Sequence, residues 1–139
     1  MRPKTWVYDP HKQKRSIDDE TRQWAQRLCD NFVLKYLRPC FVRPFNSKNK
    51  KEAHCVDVQW KWYRHFIHFK ALYKDGRPNA REAQYEYPIT RLEYMNEGLF
   101  HLAYFRHTGE WWTITFGDGE SLGECFQLMR TLPHFQPVI

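Results

Sequence analysis

Over residues 56–116 apolar and polar side chains alternate, and three of the breaks in the alternation carry turn residues. A period of two marks a strand with one face turned inward, because successive side chains leave a pleated backbone on opposite sides. Val56, Val58, Trp60 and Trp62 alternate with Asp57, Gln59 and Lys61, and Ile67, Phe69, Ala71 and Tyr73 alternate with His68 and Lys70. One strand through both runs would be roughly twice the usual maximum length, so a turn is required near Arg64-His65, although neither Gly nor Pro marks it. Asp75-Gly76 and Pro78-Asn79 predict a loop. A third strand is expected over 89–95, with Pro88 at its entry, where an edge or first position tolerates a residue without an N–H. Asn96-Glu97-Gly98 reads as a short hairpin turn, Phe100, Leu102 and Tyr104 as the next inward row, and His107-Thr108-Gly109 as another turn. Trp112, Ile114 and Phe116 then alternate with Thr113 and Thr115, and Gly117-Asp118-Gly119 closes the sheet.

A helix flanks this ribbon on each side. Ile17, Trp24, Leu28, Phe32 and Tyr36 recur at spacings of seven and four, with Ala25, Cys29 and Val33 widening the stripe. That pattern predicts an amphipathic helix over 17–37, capped by the Ser16 hydroxyl oxygen accepting from the amide of Asp19 and ended at Arg38 by Pro39. Ser121 and Glu124 form a capping box for a second helix, whose Leu122, Cys125, Phe126, Met129 and Leu132 share a face and which Pro133 terminates. The expected fold is α+β: a long N-terminal helix packed on a five-stranded antiparallel meander sheet, followed by a short C-terminal helix.

Composition bounds the function. At 139 residues the chain is read as one domain, 1–139, in which 1–15 is a basic extended arm with a short strand at Trp6-Val7-Tyr8, and 39–53 is a basic loop. Twenty-four aromatic residues (six Trp, eight Tyr, ten Phe) exclude general disorder. The four cysteines are too scattered for a disulfide framework and show no C-x-x-C spacing. No signal peptide and no run of about 18 apolar residues is present, so cytoplasmic localisation is expected, with no membrane partner. The formal charge is +6, yet residues 1–15 and 38–52 each carry +4, which leaves the remainder at −2. The surplus positive charge belongs to two segments, and the body is near neutral.

No catalytic, metal or nucleotide motif is found. His65 and His68 are three apart, which on a strand puts them on opposite faces, so no metal site and no cofactor are expected. Counting outward from the 96–98 turn, Glu93 faces His101 and Arg91 faces Ala103; a Glu–His contact can pair a base with its orienter, but on a sheet face it is usually only a favourable pair. Whether the chain is an enzyme stays open, with the balance toward not. Arg64-His65 and Arg106-His107 each fall at a hairpin, where arginine near rings can hold phosphate, but a meander places those hairpins at opposite ends of the sheet. The function that most features share is binding of nucleic acid or another polyanion, through stacking on rings and neutralisation of the backbone. The aromatic candidates are Tyr63, Phe66, Tyr94, Tyr104 and Trp111. The basic candidates are Lys12, Lys14, Arg15, Arg43, Lys48, Lys50, Lys51, Arg64 and Arg106. Two alternatives stand beside this reading: a small-molecule or catalytic pocket between helix and sheet, and a protein-interaction or dimerisation domain.

The runs Lys61-Trp62-Tyr63-Arg64, Arg91-Leu92-Glu93-Tyr94 and Tyr104-Phe105-Arg106-His107-Thr108-Gly109-Glu110-Trp111-Trp112, with the opening Arg2-Pro3-Lys4-Thr5-Trp6-Val7-Tyr8, resemble a set of small bacterial proteins carrying a domain of unknown function. The resemblance implies a bacterial origin and a complete single-domain protein, and it supplies no activity and no functional residue.

Overall fold

The structure is a computed structural model that describes residues 17–42, 53–76 and 83–136. The first helix, α1, spans Asp19–Phe32. Its N-cap is Asp18, whose carboxylate accepts from the Thr21 amide at 2.7 Å; the expected cap, Ser16, lies outside the described residues. Pro39 does not stop the helix where expected. The chain widens into a π-helical stretch at Val33–Leu37 and continues as α2, Arg38–Phe41, with Arg38 in ordinary helical geometry. A proline ring normally collides with the carbonyl four residues back, and a wider turn just before it relieves that collision. The first residues of the predicted basic loop are therefore helical.

The sheet follows: β1 (His54–Tyr63), β2 (Phe66–Lys74), β3 (Gln84–Asn96), β4 (Leu99–Phe105) and β5 (Trp111–Thr113), antiparallel and in meander order. A two-residue β6, Glu120–Ser121, adds to β4 and was not anticipated. Arg64 takes a φ of 56° to make the unmarked turn between β1 and β2. Glu97 and Gly98 both adopt positive φ, as a two-residue hairpin with right-handed strand twist requires. The third strand is longer than expected. Tyr85 and Tyr87 extend its alternation back to Gln84, and Pro88 sits inside it, beside a bulge opposite Lys70. Pairing with β4 begins only at Thr90, so Pro88 occupies a stretch bonded on one side, where its missing N–H costs no ladder bond.

The last helix, α3 (Leu122–Thr131), is capped by Ser121, which accepts from the Glu124 amide at 3.2 Å, and it ends at Leu132 before a 3₁₀ turn at Pro133–Phe135. Both helical elements pack on one face of the sheet. Phe32 and Phe126 stack at 4.1 Å, and Phe69 presents its edge to both rings. Val58, Ile67, Phe69, Leu92, Phe100 and Leu102 meet Ala25, Cys29, Leu37, Leu122 and Met129 in this core. Trp60 is half-buried, and its indole N–H donates to Asp30 on α1 at 2.7 Å; Arg38 ties α2 to Asp57 on β1 at 2.8 Å. A depression at the rim of the core, lined by Phe41, Tyr73 and Phe135 among others, holds only about 30 Å³, room for little more than one water.

The inward row on β5 needs correction. Thr115 is buried and Phe116 is 85% exposed, opposite to the expected alternation, because the strand stops at Thr113. The Thr115 hydroxyl instead accepts from the Leu102 amide at 3.0 Å, standing in for a strand partner.

Candidate functional site

Strand pairing lays a continuous row across the face of the sheet away from the helices: Lys61, His68, Arg91, Ala103 and Thr113 on β1 to β5. The adjoining row is Tyr63, Phe66, Glu93 and His101 on β1 to β4. Phe105 and Trp111 pair on the far side. These are the polar positions of the alternation, and they carry an unusual number of rings.

The rings form one cluster around His68. Its imidazole lies 6.3 Å from Tyr63, 6.2 Å from Phe66 and 5.9 Å from Trp111, centroid to centroid. Three strand spacings, roughly 14 Å, separate β2 from β5, so His68 and Trp111 have to lean together. The residue between them on β4 is Ala103, small enough to be covered by both. The Arg91 guanidinium sits 4.7 Å from the Phe66 ring and 5.0 Å from the Trp111 ring, and Trp111 also meets Phe105 at 5.1 Å. Guanidinium between two ring faces is a cation–π arrangement that holds all three groups in place. Arg91 Nε has no hydrogen-bond partner among the described residues.

The electrostatics follow from this crowding. Partial burial, then the charges of Arg91, Lys61 and Lys70, hold the His68 imidazole below the usual histidine pKa. Burial likewise lowers the Arg91 guanidinium, with Glu93 opposing the shift. At neutral pH His68 is an uncharged ring flanked by cations. Beside it a surface depression of about 350 Å³ is lined by Lys61, Tyr63, His68, Lys70, Glu86 and Pro88, with Lys70 paired to Glu86 at 2.9 Å.

Glu93 and His101 are cross-strand neighbours, as counting from the turn predicts, but their side chains do not pair with each other. Glu93 Oε2 lies 2.9 Å from His65 Nε2, and both are buried; His101 Nδ1 lies 2.7 Å from the Thr115 hydroxyl. The expectation that His65 and His68 occupy opposite faces also fails. The turn at Arg64 breaks the alternation and brings His65 to Glu93, which stands in the Phe66 row of the uncovered face. Among the described residues no three His, Cys, Asp or Glu side chains gather as a metal set would require. The buried thiols are poor nucleophiles: burial pushes Cys125 up to about 12, and Cys29 is raised further still, first by burial and then by Asp30.

Of the aromatic candidates, Tyr63, Phe66 and Trp111 share the uncovered face. Tyr94 and Tyr104 do not: Tyr94 packs on Phe100 in the core and Tyr104 on His134 and Phe135. Arg64 stacks on Tyr63 at 5.6 Å, at one end of that face. Arg106 lies over Trp112 at 4.1 Å, and Trp112 pairs with Tyr104, so this arginine belongs to the opposite end and the other face. Lys12, Lys14, Arg15, Arg43, Lys48, Lys50 and Lys51, and the strand expected at Trp6-Val7-Tyr8, lie outside the described residues. Sequence reasoning missed Lys61, Lys70 and Arg91 as neighbours of His68, and Phe105 as the partner of Trp111. Their signal was present, since each occupies a polar position of a legible strand, but it needed the register across the unmarked turn at 64–65 and between β2 and β3.

The model of a domain-of-unknown-function family, DUF3024, matches residues 12–137. The chain belongs to that family. No curated protein and no solved structure matches it. DUF3024 membership agrees with the resemblance seen in the sequence and brings no activity with it, so a function for this DUF3024 chain has to be argued from its own geometry. None of its described helices is long and apolar enough to cross a membrane.

Proposed function

We propose that the chain is a binding module for nucleic acid, a polyanion, and that the face of its sheet away from the described helices is the contact surface. The observation that carries this reading is the interleaving of cations and rings on one face: Lys61, Lys70 and Arg91 around Tyr63, Phe66, His68 and Trp111. Cations neutralise phosphates, and exposed ring faces accept bases, which is the combination single strands require. Of the acids on this face, Glu93 is buried against His65 and Glu86 is paired to Lys70, so neither offers much repulsion. Arg64 extends the cationic surface at its end, whereas Arg106, stacked on Trp112, does not contribute. Lys12, Lys14, Arg15, Arg43, Lys48, Lys50 and Lys51 would add long-range attraction from the two most basic segments of the chain.

Fluorescence anisotropy with a labelled oligonucleotide tests the proposal. The logarithm of the association constant should fall linearly with the logarithm of salt concentration, and the double variant K61A/K70A should flatten that slope by roughly 1.4 to 1.8. Absence of binding at low salt, or binding indifferent to salt, overturns it.

A second reading has its own observation. Phe116 and Trp112 are exposed beside the short edge strand β5, as a protein contact would require. The pocket alternative has less support, since among the described residues side chains fill the core between helices and sheet, and the depression at its rim holds about 30 Å³.

A further inference from the structure

We infer that the depression bounded by Lys61, Tyr63, His68, Lys70 and Glu86 is a base slot, and that its ligand is a single strand whose seated base carries an exocyclic amino group. This deepens the nucleic-acid reading and rests on it. The depression is about 350 Å³ and opens on the uncovered face between two rings, Tyr63 and His68, that approach edge to face. Tyr63 is 55% exposed, so one of its faces is available to a base without repacking the core. A base inside a duplex has both faces stacked and cannot reach such a ring, whereas a base in a single strand can.

The rim divides the work by charge. Lys61 projects from β1, exposed, with no ion pair among the described residues, and suits a backbone phosphate beside the slot. Lys70 stands across from it and is held by Glu86 Oε1 at 2.9 Å. Glu86 lies more than half exposed, and its second oxygen accepts but does not donate. A carboxylate at the slot favours a base with an N–H₂ edge and disfavours one that presents only carbonyl oxygens, as carboxylates do with the cytosine amino group. Cytosine against thymine is the sharpest comparison, because the two are alike in size and carry the same backbone charge. His68, kept neutral by partial burial and then by its cationic neighbours, offers a stacking ring without attracting a phosphate into the slot.

The test compares oligo(dC), oligo(dT) and a mixed-sequence duplex of equal length by anisotropy at fixed salt. Oligo(dC) should bind roughly tenfold tighter than oligo(dT), and both should exceed the duplex in their response to Y63A. That variant should weaken oligo(dC) binding about tenfold and leave duplex binding unchanged. E86Q, which can donate as well as accept, should bring oligo(dT) to the level of oligo(dC). Circular dichroism on Y63A and E86Q checks that each is folded, and both positions are exposed enough to accept the change. Equal affinity for all three probes, with Y63A weakening none of them, overturns the slot and leaves the nucleic-acid reading standing. No binding to any probe at low salt overturns both.

Discussion

His68 is half-buried among three cations, and both conditions disfavour its charged form. Its folded pKa is therefore lower than its unfolded value of about 6.5. In the interval between the two, the unfolded chain binds more protons than the folded one, so stability falls as pH falls. The contribution is fully present above about pH 6.5 and is lost as pH drops through the folded pKa. The melting temperature of the free protein should decline on acidification below neutrality, and H68Q should decline less over the same range. Identical pH profiles for the two proteins would remove His68 from the account. The group was visible in the sequence as a polar position of the second strand, but its surroundings were not. Lys61 and Arg91 reach it only through pairings set at the 64–65 turn and between β2 and β3, and neither register is encoded by neighbouring residues. Glu93 makes the same point in reverse. Its place opposite His101 could be counted because two turn residues fix that hairpin, whereas its actual side-chain partner, His65, comes from a different hairpin.

At the level of elements, local signals were legible where the chain itself supplies the partner. Ser121 caps α3 through an amide three residues on, and Glu97-Gly98 turns a hairpin with its own positive φ values. Where a distant backbone decides, the local rule was overridden. Pro39 stops an ordinary helix but not one that widens first, and Pro88 tolerates a long strand because β4 does not reach it. Gly117-Asp118-Gly119 looked like a simple closing turn. In the structure Gly119 brings β6 against β4: a Cβ there would stand 2.6 Å from the Phe100 carbonyl oxygen, at a φ of +99°. Gly109, in the turn before β5, has a similar φ of +89° and nothing within 4 Å of its Cβ position. The two glycines separate backbone strain from collision. G109A should cost about 1 kcal/mol. G119A should cost at least about 2 kcal/mol more, because rigid backbone atoms rather than a mobile side chain must move. Urea denaturation of the two variants measures the difference, and equal midpoints would mean that β6 is not held against β4 as described.

Across the whole molecule the sheet carries rings on both faces, but among the described residues only one face is covered. On the covered side Phe69 is fully buried between Phe32 and Phe126. On the other side Tyr63, Phe66 and Trp111 touch one another through His68 and Arg91 and have no second layer above them among the described residues. Two accounts of such a face are physically distinct. If it exists to receive a ligand, the free protein is stable without anything on it, and its rings contribute little to folding. F69A should then cost about 3–5 kcal/mol, while Y63A should cost less than about 1 kcal/mol. If instead a second copy of the chain covers the face, folding and association are linked, and stability must rise with protein concentration. Denaturation midpoints measured across a wide range of protein concentration decide between them. A constant midpoint, with Y63A close to wild type, is the expected outcome and leaves the face free for nucleic acid. A midpoint that climbs with concentration, and a Y63A variant that loses this climb, would assign the same rings to a dimer interface. The nucleic-acid reading would then lose its contact surface, because stacking rings buried between two copies have no face left to offer a base.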